Sequence, residues 1–118
     1  MEVDNVCALL ASHRFHYRDE ERLHEGIEAV LTGSAIPFER ERIIGPNRPD
    51  FFLPGSGIAI EVKIKHSLAD LTRQVYRYAR CSEVSAVLVV TDKMRLSNLP
   101  DELLGKPVRV VTLIGGFA

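Results

Sequence analysis

The sequence predicts an α/β fold: one mixed β-sheet with helices on its faces. Three observations predict it. Phe51-Phe52-Leu53 and Ile58-Ala59-Ile60-Glu61-Val62-Lys63-Ile64 flank Pro54-Gly55-Ser56-Gly57, which reads as a β-hairpin. Residues 67–81 then show helical apolar spacing, and residues 84–91 form a near-continuous apolar run suited to a strand buried on both faces. An amphipathic helical segment, residues 19–32, precedes the hairpin.

The elements follow in order. Val3, Val6, Cys7 and Leu10 give residues 3–12 the spacing of a short helix, and residues 13–18 connect it onward. In the helix at 19–32, Asp19 suits the N-cap, Leu23, Ile27, Val30 and Leu31 form the apolar stripe, and Gly33-Ser34 ends it. Pro37 leads into a strand predicted over 38–44, and Gly45-Pro46-Asn47 makes a turn. After the hairpin, Ser67 with Asp70 opens the helix at 67–81, whose inward stripe is Leu68, Leu71, Val75, Tyr78 and Ala79. A strand over 84–91, a loop or short helix over 93–105 and a strand over 108–113 complete the chain, with fraying at Gly115-Gly116. Strand, helix and strand in succession make a β-α-β crossover beside the antiparallel meander.

At 118 residues the chain is expected to be a single domain over 1–118. Its apolar runs are too short to cross a bilayer, which needs about 18 residues or more, and its N-terminus lacks a basic start. Cys7 and Cys81 read as free thiols of a reducing compartment, so a cytoplasmic location is expected. The net charge of −1 excludes a globally basic nucleic-acid binder, but the charges are uneven. Residues 1–31 hold seven acids and three Lys/Arg, whereas Lys63, Lys65, Arg73, Arg77 and Arg80 cluster over 61–80 against Glu61 and Asp70.

The hairpin count carries the chemistry. If the four turn residues form the loop, Leu53 pairs with Ile58 and Asp50 falls opposite Glu61. Directly opposed Cβ atoms in an antiparallel pair are about 4.5–5.5 Å apart, and like charges so placed are destabilising unless something positive lies between them. A divalent cation would serve, with Lys63 on the same face two residues on. Two carboxylates suffice to hold Mg²⁺, which keeps several waters, and the Val62 carbonyl would add an oxygen.

Pro49-Asp50 followed by Glu61-Val62-Lys63 resembles the signature of the PD-(D/E)XK nuclease superfamily, and Gln74-Val75-Tyr76-Arg77-Tyr78 is similar to the Gln-x-x-x-Tyr motif of its RecB-like members. The resemblance covers roughly residues 19–91. It implies a restriction-endonuclease-like fold and a small Mg²⁺- or Mn²⁺-dependent nuclease acting on DNA, of the stand-alone phage and bacterial type. Asp50 and Glu61 would then bind the metal, Lys63 would assist the attacking water, and Gln74 and Tyr78 would line the site. It also implies a further carboxylate from the first helix of the motif, chosen among Glu20, Glu21, Glu25 and Glu28. Glu20 lies three and seven residues before Leu23 and Ile27, which aims it at the sheet, so Glu20 is expected as the added metal ligand. Arg73 and Arg77, with Lys65 and His66, are expected to contact nucleic acid. Endonuclease or exonuclease action, strand preference, and assembly as a homodimer or with a partner protein stay open. The rival expectation is a non-catalytic nucleic-acid-binding or interaction subunit with the same fold.

Overall fold

A computed structural model describes residues 1–113. Helices α1 (Glu2–Ala11) and α2 (Glu20–Gly33) precede strands β1 (Glu39–Arg40), β2 (Phe51–Leu53) and β3 (Ile58–Val62). Helix α3 (Leu68–Ala79) leads to β4 (Ala86–Thr91), a 3-10 turn (Met94–Ser97), β5 (Glu102–Leu103) and β6 (Lys106–Thr112). The six strands lie in the order β1-β2-β3-β4-β6-β5. β1, β2 and β3 pair antiparallel, β3 with β4 and β4 with β6 pair parallel, and β5 returns antiparallel to β6. The expected mixed sheet with flanking helices is therefore present.

Strand alternation divides the core into two layers. Phe51, Leu53, Ile58, Ile60, Val62, Leu88 and Val90 pack with Val6 and Leu10 of α1 and Leu23, Ile27 and Leu31 of α2. Phe52, Ala59, Val87 and Val89 pack on the other face with Leu71, Val75 and Tyr78 of α3. Each fully buried Leu or Val contributes about 1.5–3 kcal/mol, so α3 is held by its stripe more than by its helix propensity. Both predicted N-caps form: the Asp19 carboxylate accepts from the Arg22 N–H, and the Ser67 hydroxyl from the Asp70 N–H.

The predicted strand over 38–44 shrinks to Glu39–Arg40. Glu41 turns to φ +51, and the chain closes on itself through a bridge between Ile44 and Asn47. Asn47 is buried there, its side-chain amide donating to the Arg77 carbonyl. The sequence reading also missed β5, which turns into β6 through Leu104 (φ +53) and Gly105 (φ +77). The last strand starts at Lys106, and the fraying expected at Gly115-Gly116 lies outside the described residues.

The hairpin turn is anchored to β4. Gly57, at φ +75, donates to the Leu53 carbonyl and accepts from the Ser85 N–H at 2.7 Å. A Cβ at Gly57 would lie 2.6 Å from Ser85 Oγ and 3.0 Å from the Glu83 carbonyl oxygen. Gly57→Ala should therefore lower stability by roughly 1–3 kcal/mol, from backbone strain and the clash together. Urea unfolding measures it, and an unchanged midpoint would show that the turn does not set the register.

Candidate active site

The register Leu53↔Ile58, Phe52↔Ala59, Phe51↔Ile60 ends one residue short of Asp50, and extending it by one step puts Asp50 opposite Glu61, as the turn count predicts. The Asp50 N–H points at Glu61 Oε1 at 3.4 Å, and the Val62 N–H donates to Asp50 Oδ2 at 2.8 Å. Glu61 occupies an α3-facing position in β3 and is only 2% exposed. It takes the place of a core residue, and its charge must be satisfied by side chains.

Helix α3 supplies them. The Tyr78 hydroxyl donates to Glu61 Oε1 at 2.6 Å, and Gln74 Nε2 donates to Oε2 at 3.1 Å and to the Tyr78 oxygen at 3.0 Å. Gln74 and Tyr78 stand one helical turn apart, so both reach the same carboxylate. Lys63 Nζ lies 3.2 Å from Glu61 Oε2, on the face its position two residues beyond Glu61 predicts. The five residues Asp50, Glu61, Lys63, Gln74 and Tyr78 thus form one connected cluster.

Helix α2 approaches from the opposite layer and brings a residue the sequence reading passed over. His24 Nε2 lies 3.5 Å from Asp50 Oδ2, longer than a good hydrogen bond, and is buried with no hydrogen-bond partner among the described residues. Arg40 Nη2 lies 3.4 Å from His24 Nδ1. Arginine only donates, so Nδ1 accepts and the neutral ring carries its proton on Nε2, toward Asp50. Arg40 also stacks over Phe51 with its guanidinium carbon 4.6 Å from the ring centroid, and pairs with Glu28 at 2.9 Å. His24 stands four residues after Glu20 on the same helix face, but that spacing does not show that Arg40 and Asp50 meet it there.

Glu20 makes no hydrogen bond or ion pair with Asp50 or Glu61. It lines a neighbouring cleft that also holds Lys65, His66 and Asp92. His24, one turn along α2, is the α2 side chain that approaches Asp50. Arg73 pairs with Asp70, and together with Arg77 it lines an open groove with Tyr76 and Leu103 on the outer side of α3, away from Glu61. The Val62 backbone does lie at the pair, through its N–H to Asp50. Among the described residues no three His, Cys, Asp or Glu side chains form a ready metal-binding group.

The electrostatics separate the two carboxyls. Burial and the Asp50 charge push Glu61 up to about 7, and Tyr78 and Lys63 only partly offset them. Burial also acts on Asp50, but His24, the Val62 N–H and Lys63 outweigh it and hold that carboxyl below its usual value. The Asp50 carboxylate raises His24 above the ordinary imidazole value, against burial and Arg40. Burial and the Glu61 charge raise the Tyr78 hydroxyl. The site is a strained like-charge pair with one lysine beside it, made of the hard oxygen donors that Mg²⁺ and Mn²⁺ prefer.

Comparison of the chain with models of known protein families, with curated proteins and with solved structures finds no match in any of the three. The geometry of the site is therefore the ground for its function.

The raised Glu61 value has a consequence for stability. Between its ordinary 4.5 and about 7 the folded chain binds more protons than the unfolded chain, so stability falls as pH rises through that window. His24, also raised, contributes stability at low pH that is lost as pH rises through its folded value. Asp50, lowered, acts only below the usual carboxylate range. Moving a pKa by one pH unit between the unfolded and folded chain is worth about 1.4 kcal/mol. Unfolding in urea with EDTA should therefore show a loss on the order of 2–3 kcal/mol between pH 5 and pH 8. Stability that is flat or rises over that interval would contradict the assigned burial of charge.

Proposed function

We propose that the protein is a metal-dependent nuclease that hydrolyses DNA phosphodiester bonds, with a restriction-endonuclease-like arrangement of its sheet and helices. One observation carries the reading: Asp50 and Glu61 oppose each other across a hairpin, with Lys63 in contact with Glu61. An ordinary structural hairpin has no use for two facing acids, one of them buried.

Asp50 and Glu61 would hold Mg²⁺ or Mn²⁺, and the Val62 carbonyl would add an oxygen. The ion, when bound, supplies charge relief at the phosphate and a more acidic water. The chain's own groups do the rest. Gln74 and Tyr78 fix the Glu61 carboxylate by hydrogen bonds to both of its oxygens. The Val62 N–H and His24 fix Asp50. Lys63, 15% exposed, presents its ammonium where a water or phosphate oxygen would approach, and stabilises the charge that develops as water adds to phosphorus and a bridging P–O bond breaks. Arg77, exposed one turn along α3 from Arg73, would hold the phosphate backbone without reading sequence.

A second reading, a non-catalytic binding or interaction subunit, draws on the closed network around Glu61. Both its oxygens already have partners in Tyr78, Gln74 and Lys63. Activity separates the two. Plasmid, linear, single-stranded and branched DNA should each be incubated with Mg²⁺, Mn²⁺ or EDTA. Cleavage with a metal and none with EDTA is expected; no cleavage of any substrate would remove the enzyme reading.

Two variants test the roles. Calorimetry with Mn²⁺ should show binding that the double variant Asp50→Asn/Glu61→Gln loses, and equal binding by that variant would remove the pair as ligands. Lys63→Ala should lower the cleavage rate by about a hundredfold or more while DNA affinity in Ca²⁺ stays near wild type. A near-normal rate would take Lys63 out of the mechanism.

A further inference from the structure

The cleft that holds Glu20, Lys65, His66 and Asp92 is a cavity just beyond Lys63 along the chain. It measures about 430 Å³, within the range of about 300–1,000 Å³ that accommodates small ligands. Its position follows from topology. β3 and β4 are parallel neighbours, paired up to Val62↔Val90, and the Lys63 N–H continues the ladder to the Val90 carbonyl at 3.0 Å. Ile64 lies two residues beyond β3 and Asp92 one residue beyond β4, and both line the cavity. The carboxyl ends of parallel strands are where open α/β sheets place ligands. Glu61 lies three residues before Ile64, a separation the chain spans in at most about 10 Å. That is one to two nucleotides of a single strand.

The walls combine apolar and polar groups. The Tyr17 ring and Ile64 are apolar surface; Glu20, Lys65 and His66 are polar. Asp92 supplies the distinctive group. The Tyr17 hydroxyl donates to its Oδ2 at 2.7 Å, which fixes the carboxylate. Its Oδ1 is buried and accepts no hydrogen bond among the described residues. Its one close charge is Lys93 Nζ at 3.3 Å, on a side chain 44% exposed that a ligand would displace into water. A buried carboxylate oxygen without a donor is costly, and it calls for an N–H donor from a ligand. Arginine and ammonium ligands would also offer one, but Arg18, Lys65 and Lys93 balance Asp19, Glu20 and Asp92 in the lining, so the cavity has no net pull on a cation. A neutral planar group with N–H donors, on a chain of phosphates that Arg18, Lys65 and Lys93 attract, fits both walls.

We propose that this cavity seats one unpaired nucleobase adjacent to the cleaved bond, and that Asp92 selects a base with N–H donors. The proposal rests on the nuclease reading above and narrows its substrate to nucleic acid that is single-stranded at the site. A base within a duplex cannot bring its pairing edge to a buried acceptor; it must leave the stack. Guanine is the preferred base. Its N1–H and exocyclic amine are adjacent donors that match a carboxylate, with Glu20 as a second acceptor in the same cavity. Thymine is the least suited, because two carbonyl oxygens flank its only N–H. Glu20 thus acts in substrate recognition, with Lys65 and His66 at the flanking phosphates.

The test is fluorescence anisotropy in Ca²⁺ with short oligothymidine strands that carry or lack a single guanine, and with the matching duplexes. Wild-type protein should bind the guanine strand about tenfold tighter than the all-thymine strand, the size of one good base contact, and should bind the duplex more weakly than either. Asp92→Asn, which replaces one acceptor oxygen with a donor, should lose the guanine preference and keep the all-thymine affinity. Equal wild-type affinity for the two strands would overturn the proposal without any variant. So would a guanine preference that survives in Asp92→Asn, or duplex binding as tight as single-strand binding. Metal-dependent cleavage with no base preference sinks the base cavity alone. Absence of both cleavage and nucleic-acid binding sinks the nuclease reading as well.

Discussion

A carboxylate buried inside a β-sheet is the constraint around which this molecule is arranged. Glu61 sits at a position where alternation along β3 demands an apolar residue, between Ala59 and the α3 helix. Burying such a charge without partners would cost far more than one domain can supply, so the surrounding sequence has to answer it. Tyr78 and Gln74 are committed to it, although Tyr78 also fills the core, and Lys63 leans back onto it. Replacing the whole set with apolar side chains would give a plainer core.

The two layers contribute differently. α3 satisfies Glu61 from one face of the sheet, while α2 reaches Asp50 from the other through His24. The pair is therefore held between layers that share no other polar link at this point among the described residues. Arg40 adds a restraint by fixing the His24 tautomer and stacking on Phe51, the residue next to Asp50. The two carboxyls are driven in opposite directions because burial and the Asp50 charge prevail at Glu61, whereas His24, the Val62 N–H and Lys63 prevail over burial at Asp50.

Much of this was legible in the sequence because a few local rules were strong. The Pro54–Gly57 turn fixed the pairing count, so Asp50 opposite Glu61 could be read without any tertiary information. The apolar run over 86–91 and the stripe of α3 gave the layers. Three features escaped. The strand at 38–44 failed because Glu41 takes a positive φ, an unusual state for a residue with a Cβ and one that leaves no mark in composition. β5 escaped because its two-residue turn puts leucine at a position that normally calls for Asn, Asp or Gly. His24 escaped because its part depends on Arg40 and Asp50 arriving from β1 and the start of β2, which spacing within one helix cannot show.

The Asp50–Glu61 pairing is local, made by a short hairpin, whereas the groups that shield Glu61 arrive from a helix further along the chain. In the isolated hairpin water screens both charges. Only when α3 docks does Glu61 lose that water, so the proton it takes up near neutral pH belongs to the docking step. Assembly without a bound ion is then a proton-consuming reaction, and its equilibrium is favoured in mild acid. A divalent ion that entered before docking would replace the proton, and the same step would become independent of pH.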